Sequence, residues 1–325
     1  MSFALPQGRK IGVFRISPPQ GRGWIVGGVA RFKYRRKILI TEESGADLTD
    51  YQVLIELNSE NFDFGHAQTN GEDVRFTDVH NNLLDYWIES WDAVAEEAKI
   101  WVKVPSIPAN STVEIRMYYG NAELADASDG NAVFELFDDF EGDAIDTDKW
   151  DGDIASFSIS DSVVSCSTSS KRIYTKTFEI TDGIIEAKVK IDTGARGSTW
   201  GRASNFDLSY PYNYNINYRY PNEDVRARKW YGSNETILDA ASYSHDTDWH
   251  IARLILNGSE ITFEYEKLDG TNKYSFTTTD TDYTEGRVAL ATDKIDSGAV
   301  YYDRVLVRKY ADPEPSVSIG EEETP

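Results

Sequence analysis

The run from Asn205 to Tyr220 alternates in character for sixteen positions. Phe206, Leu208, Tyr210, Tyr212, Tyr214, Ile216, Tyr218 and Tyr220 hold one parity, and Asn205, Asp207, Ser209, Asn213, Asn215, Asn217 and Arg219 hold the other. A period of two belongs to a β-strand. Strands seldom run so long, so Pro211 is expected in a turn that folds the segment into a hairpin with one aromatic and one amide face. Amides donate and accept at once, and Arg219 adds a fixed fork of donors, which together suit a hydroxyl-rich ligand such as a sugar. Trp200 and Arg202, in an expected loop upstream, and Trp230, on the next strand, add aromatic and planar groups for a sugar ring. The candidate ligand-binding set is therefore Trp200, Arg202, Asn213, Asn215, Asn217, Arg219 and Trp230. A plainer reading stays open, in which the tyrosines are core and the asparagines simply face water. Glu260, Glu264 and Glu266 share one parity opposite Ile261, Phe263 and Tyr265, the pattern of a solvated strand face rather than of a catalytic group.

Such strands need sheets to hold them. Short runs of Val, Ile, Tyr, Phe and Thr recur between Gly/Asn/Asp-rich turns without helical periodicity, which predicts an all-β protein. At 325 residues the chain exceeds one ordinary core and fits two domains. The single Cys166 excludes an intramolecular disulfide framework.

Charge divides the chain. Residues 1 to 41 hold nine bases and no acid, which leaves 24 Lys+Arg against 55 Asp+Glu, a charge of −31, on the rest. An acidic body repels phosphate, so nucleic acid is excluded as its partner. The arm, residues 1–31, is expected to lie extended on acidic surface, with residues 1–30 crossing to neighbouring subunits of a homo-oligomer. No segment approaches a membrane span, and the apolar stretch Trp24 to Ala30 contains glycines and lies too far from Met1 for an ordinary signal peptide.

A first β-sandwich is predicted over residues 32–121, with strands at 34–41, 51–57, 73–77, 83–91, 99–104 and 112–119. Residues 122–133 are expected as a linker, 134–311 as the second domain and 312–325 as an acidic tail. The wording Y-R-R-K-I-L-I (34–40), L-T-D-Y-Q-V-L-I-E-L (48–57), N-G-E-D-V-R-F-T-D (70–78), L-D-Y-W-I-E-S-W (84–91) and I-W-V-K-V-P-S-I-P-A (100–109) resembles a β-sandwich family of unknown function found in archaeal and bacterial surface proteins. That resemblance implies a fold and an extracytoplasmic setting, and it brings no catalytic residues.

The second domain opens with Phe137-Asp138-Asp139-Phe140, continues through Gly183 to Ile191 and Trp249 to Leu254, and carries the hairpin signals Asn257-Gly258 and Asp269-Gly270. In this order the pieces resemble a concanavalin-like jelly roll of the laminin-G kind, a fold shared by lectin-like modules and laminarinase-type β-glucanases. Those glucanases carry E-x-D-x-E or E-x-D-x-x-E soon after the strand matching Gly183 to Ile191, as nucleophile and acid/base. The corresponding stretch is expected at Asn205 to Tyr210, where the carboxylate pair is missing. The resemblance also implies a Ca²⁺ site joining the first and last strands, with Asp138, Asp139 and Asp303 as candidate ligands.

The sequence thus predicts two β-sandwich domains, the second a jelly roll, with extended N- and C-terminal arms. It points to a non-enzymatic protein of a cell surface or virion whose jelly roll binds a glycan. A structural spacer without ligand and an unconventional glycoside hydrolase are the alternatives.

Overall fold

In a strand that faces a core on one side, burial must alternate with the side chains, and the middle of β4 (Leu48–Asn58) and of β8 (Glu97–Ile107) does so but for the buried Gln52 and Trp101. Tyr51, Val53, Ile55 and Leu57 are buried, as are Ala98, Ile100, Val102 and Val104, and the register sets Val53 beside Val102 and Ile55 beside Ile100. A slip of one residue would turn both rows to solvent. The computed structural model describes residues 25–26 and 30–325, so residues 1–24 and 27–29 of the expected arm lie outside the described residues. Among those described, regular structure is almost wholly β-strand.

The chain forms two units, one up to Val133 with Asp312–Pro325 added, the other Phe134–Ala311. In the first, β1 (Ile25–Val26) and β2 (Ala30–Arg31) make a short hairpin. There follow β3 (Tyr34–Thr41), β4, β5 (Arg75–Asp78), β6 (Leu83–Leu84), β7 (Tyr86–Asp92), β8, β9 (Thr112–Tyr119) and one helical turn, α1 (Gly130–Val133). One sheet runs β4-β8-β7, and β3-β9-β5-β6 lie in the other. The sheets meet through apolar side chains such as Phe76 and Tyr86, 5.4 Å apart. Residues 122–133 are no free linker. The Ile88 amide donates to Ser128 Oγ (2.8 Å), the Gln52 amide donates to the Val133 carbonyl (3.0 Å), and Val133 is buried.

The second unit contains β10 (Leu136–Asp138), β11 (Trp150–Gly152), β12 (Ser158–Ser160), β13 (Val163–Cys166), β14 (Lys171–Thr175), β15 (Gly183–Ile191), β16 (Ala195–Ser204) and β17 (Tyr212–Arg219). It continues with β18 (Asp224–Tyr231), β19 (Asn234–Ser242), β20 (His250–Asn257), β21 (Glu260–Lys267), β22 (Tyr274–Thr279), β23 (Arg287–Ile295) and β24 (Val300–Arg308). One antiparallel sheet is ordered β12-β13-β24-β15-β20-β21-β22, with β10 also on β24, and the other β11-β14-β23-β16-β17-β18-β19. The chain crosses between sheets at β15/β16 and again at β22/β23 and β23/β24, which makes the unit a jelly roll. Its core joins Ile185, Leu254, Phe263 and Tyr265 from the first sheet to Tyr214, Ile216, Tyr218 and Leu290 from the second. The turn between β20 and β21 takes Gly258 at φ 57°, as the Asn-Gly pair predicted.

The tail is likewise no free extension. The chain returns to the first unit as β25 (Ser316–Glu323), antiparallel to β3 from Ser316 beside Thr41 to Glu323 beside Arg35, and the first unit's larger sheet becomes β25-β3-β9-β5-β6. Both extended arms of the sequence reading therefore change status: one lies mostly outside the description and the other is an edge strand.

Candidate functional site

The hairpin expected inside 205–220 is instead made by β16 and β17, with residues 205–211 as their connection. β17 keeps its two faces. Tyr214, Ile216 and Tyr218 enter the core, whereas Asn213, Asn215 and Asn217 lie on the sheet's outer face. Pairing sets the outer face out in rows: Arg196 beside Arg219, then Ser198, Asn217 and Arg226, then Trp200, Asn215 and Arg228, then Asn213 and Trp230. All of these but Ser198 and Asn215 line a groove of about 300 Å³ together with Tyr210, Glu235, Asp293, Lys171, Arg172 and Lys294.

The amides are fully buried, so they form the groove's floor rather than a solvated row. Asn213 Nδ2 donates to the Pro211 carbonyl (2.8 Å) and Asn215 Nδ2 to Asn213 Oδ1 (2.6 Å). Asn217 Nδ2 donates to the Gly197 carbonyl (2.7 Å) and to Asp293 Oδ2 (2.8 Å), while its Oδ1 is a buried acceptor without a partner. Arg228, absent from the sequence-derived set, holds the floor together. Its Nε donates to Asn215 Oδ1 (2.9 Å), Nη1 to Glu235 (3.0 Å) and Nη2 to Asp293 (2.6 Å). Asp293 also accepts from Ser198 Oγ (3.1 Å), which accepts from the Trp200 indole (2.7 Å).

Above this floor the ring of Tyr210 stacks on Trp230 at 4.9 Å and 8°, and Tyr210 keeps 50% of its surface exposed. Tyr210 was placed on the aromatic parity and left out of the candidate set. It lies before β17, in the connection, where strand parity no longer applies. At the far end Arg219 and Arg226 share one oxygen of Asp224, at 3.2 and 2.8 Å.

Six of the seven candidates line the groove or belong to its floor, and Arg202 does not. Trp200 sits in mid-strand and is only 7% exposed, not in a loop. Arg202 is turned away by a bulge between Gly201 and Ser204, at φ 47°, and is 1% exposed. Its guanidinium donates to the carbonyls of Thr181 (2.7 Å), Tyr283 (3.1 Å) and Gly258 (2.9 Å) and pairs with Asp182 (3.1 Å). It closes loops and, buried among them, is shut off from a ligand.

The metal candidates do not converge. Asp138 accepts from the Phe140 amide (2.8 Å) and the Trp150 indole (2.6 Å), and Asp303 pairs with Lys188 (2.9 Å) at a bulge, the extra residue between Tyr302 and Arg304. Asp139 is half-buried, and burial raises its carboxyl above the usual range. No group of three or more His, Cys, Asp or Glu side chains suited to a metal occurs among the described residues. A hard cation needs several free oxygens at one point, and these three aspartates do not supply them. Glu260, Glu264 and Glu266 lie on β21, in the other sheet, where Glu264 and Glu266 engage Arg253 and Lys273.

On the outer face of β17 the i, i+2, i+4 spacing belongs to Asn213, Asn215 and Asn217, each of them an amide. Among the described residues no helix is long and apolar enough to cross a membrane.

A family model described as a domain of unknown function (DUF2341) matches residues 70–153, from before β5 through β9 and on to the end of β11. A search of curated proteins finds no relative. Among solved structures, the carbohydrate-binding module CBM66 from Bacillus subtilis is 10% identical with a TM-score of 0.37, covering 53% of this chain and 96% of its own. The β-glucanase of Bacillus licheniformis is 14% identical with a TM-score of 0.41, covering 54% and 98%. An immunostimulatory antigen and pseudo β-1,3-glucanase of Mycobacterium tuberculosis is 15% identical with a TM-score of 0.41, covering 55% and 99%. The chain is thus all-β, carries a match to a family of unknown function over residues 70–153, and has a jelly roll whose chemistry must be read from its own groove.

Proposed function

We propose that the second unit binds a glycan in this groove and does not hydrolyse it. One observation carries the reading: the stacked Tyr210–Trp230 pair stands beside a floor of amides and guanidinium within a groove of about 300 Å³. A sugar ring offers an apolar face to an aromatic and a rim of hydroxyls to planar hydrogen-bonding groups.

The groove does hold two carboxylates, Asp293 and Glu235, which is the observation on which a hydrolase reading would stand. Both are bonded to the same Arg228, and Asp293 also accepts from Asn217 and Ser198. An acid/base must release and retake a proton at the substrate, and both oxygens of Asp293 and Oε1 of Glu235 are committed to fixed donors. Location on a virion or cell surface, with homo-oligomers joined through residues 1–30, belongs to the same proposal and is motivated by the basic, acid-free start of the chain.

The test is a titration of the full chain with oligosaccharides, followed by indole fluorescence. Binding should weaken at least about tenfold in Trp230→Ala and stay unchanged in Trp249→Ala, a tryptophan that lies near Lys188 of the other sheet. Equal affinity in both variants would remove the groove from consideration. Reducing ends released by the native chain but not by Asp293→Asn would replace binder with hydrolase.

A further inference from the structure

We infer that the groove selects an anionic glycan, the acid group of one sugar being held between Arg196 and Arg219. This rests on the glycan-binding reading above and adds the charge of the ligand.

Seven Lys/Arg and two acids line the groove of a chain whose net charge is −22. Both acids belong to Arg228. Lys171 pairs with Asp153 (3.2 Å), and Arg172 donates to the Phe206, Leu208 and Ser209 carbonyls (3.3, 2.9 and 3.4 Å). The imbalance therefore sits at the other end. There Arg219 and Arg226 divide a single carboxylate oxygen of Asp224. Arg196 has no hydrogen-bond or ion-pair partner among the described residues and its Nε is buried; Asp296, which acts on it through charge alone, is already paired with Lys294.

Arg196 and Arg219 are direct cross-strand partners on β16 and β17. Like charges placed opposite one another on a sheet repel, so this pair costs the folded protein stability and needs a counter-charge. The crowding is felt at Arg219, whose pKa burial lowers, with Arg226, Arg196 and Arg228 adding to the decrease against Asp224. A guanidinium fork fits two oxygens of one oxyanion, and two forks side by side fit an oxyanion better than any hydroxyl. The shared chemistry is a sugar-borne oxyanion, whether the carboxylate of a uronic acid or a sulfate ester.

The full chain should be titrated with an oligogalacturonate, a sulfated galactan oligosaccharide and a neutral laminari-oligosaccharide over a range of NaCl. At least one acidic ligand should bind about tenfold or more tightly than the neutral one, with affinity falling as salt rises. The first two arms tell carboxylate from sulfate. Arg196→Gln should remove that preference and keep or raise the melting temperature, since it relieves the repulsion. A purely structural arginine would lower it. The inference is overturned if acidic and neutral ligands bind alike, if Arg196→Gln and Arg219→Gln leave acidic binding intact, or if poly-glutamate binds as tightly as the acidic sugars. Trp230→Ala separates the two failures. Acidic-ligand binding that is lost in Trp230→Ala and indifferent to Arg196→Gln and Arg219→Gln sinks the charge assignment alone, whereas no response of any ligand to any of these variants sinks the groove and the charge assignment together.

Discussion

Arg228 draws Asn215 of β17, Glu235 of β19 and Asp293 of β23 to one point, three strands bound by one side chain. Its position on the same parity as Trp230 was visible in the sequence, but parity gives a face and not a partner. Asp293 lies 65 residues further along the chain, and nothing local marks it. Arg202 shows the opposite failure. It was expected in a loop beside Trp200, but both lie on β16, and the bulge between Gly201 and Ser204 turns Arg202 off the groove face. A second residue-scale feature carries a prediction. His245 is packed among Tyr220, Tyr243, Tyr265 and His250, its Nε2 is bonded to the Asp224 carbonyl (3.1 Å), and burial holds its pKa down at about 4, with His250 adding to the decrease and Asp224 and Asp246 opposing it. The unfolded state, with an ordinary histidine near 6.5, binds the proton first as pH falls. The stabilising contribution is therefore complete above about pH 6.5 and is lost progressively towards pH 4, amounting to on the order of 2 kcal/mol at pH 5. Chemical denaturation at pH 7.5 and 5 should show this loss in the native chain and a flatter profile in His245→Phe. Equal slopes would place the titration elsewhere.

At the scale of elements, strands with a clean alternation were readable to the residue. β3 and β9 occupy the predicted 34–41 and 112–119. β25 was not readable, since Ser316-Val-Ser-Ile-Gly-Glu-Glu-Glu323 has two apolar residues and a run of acids, and it is an edge strand held from one side. Its attachment comes from backbone pairing and from charge. Arg36 donates to the Gly320 carbonyl (2.8 Å), Glu323 pairs with Arg35 (2.7 Å) and Lys37 (3.0 Å), and Glu322 accepts from Tyr119 (2.8 Å) and lies 2.9 Å from His66 Nδ1. Deleting residues 312–325 should destabilise the first unit by roughly 3–5 kcal/mol, at about 1 kcal/mol per hydrogen bond lost, without moving the second. Calorimetry should show one transition shifted down and one unchanged. A truncated chain with both transitions in place would mean that β25 contributes no stability.

For the molecule as a whole, the boundaries at 134 and 311 were legible from the change of strand wording, but their meaning was not. The second unit is inserted within the first. Insertion requires that the ends of the inserted unit lie close together, and they do, because Leu136–Asp138 pairs with Val305–Val307. Residues 134–311 expressed alone should therefore fold, with cooperative unfolding and the groove's ligand response intact. Failure to fold alone would show that the unit depends on its host.

The pairing of β3 with β25 also decides how the chain carries tension. A pull applied at residues 34 and 323 acts on two strand ends that lie side by side, since Glu323 is beside Arg35 and the strands are antiparallel. The bonds then open one after another towards Ser316 and Thr41, as a zipper does, instead of resisting together in shear. Until β25 has peeled away, the jelly roll hangs outside the line of force. Once it has, tension reaches the inserted unit through its own paired ends, so the edge strand acts as a mechanical fuse that opens before the groove is loaded.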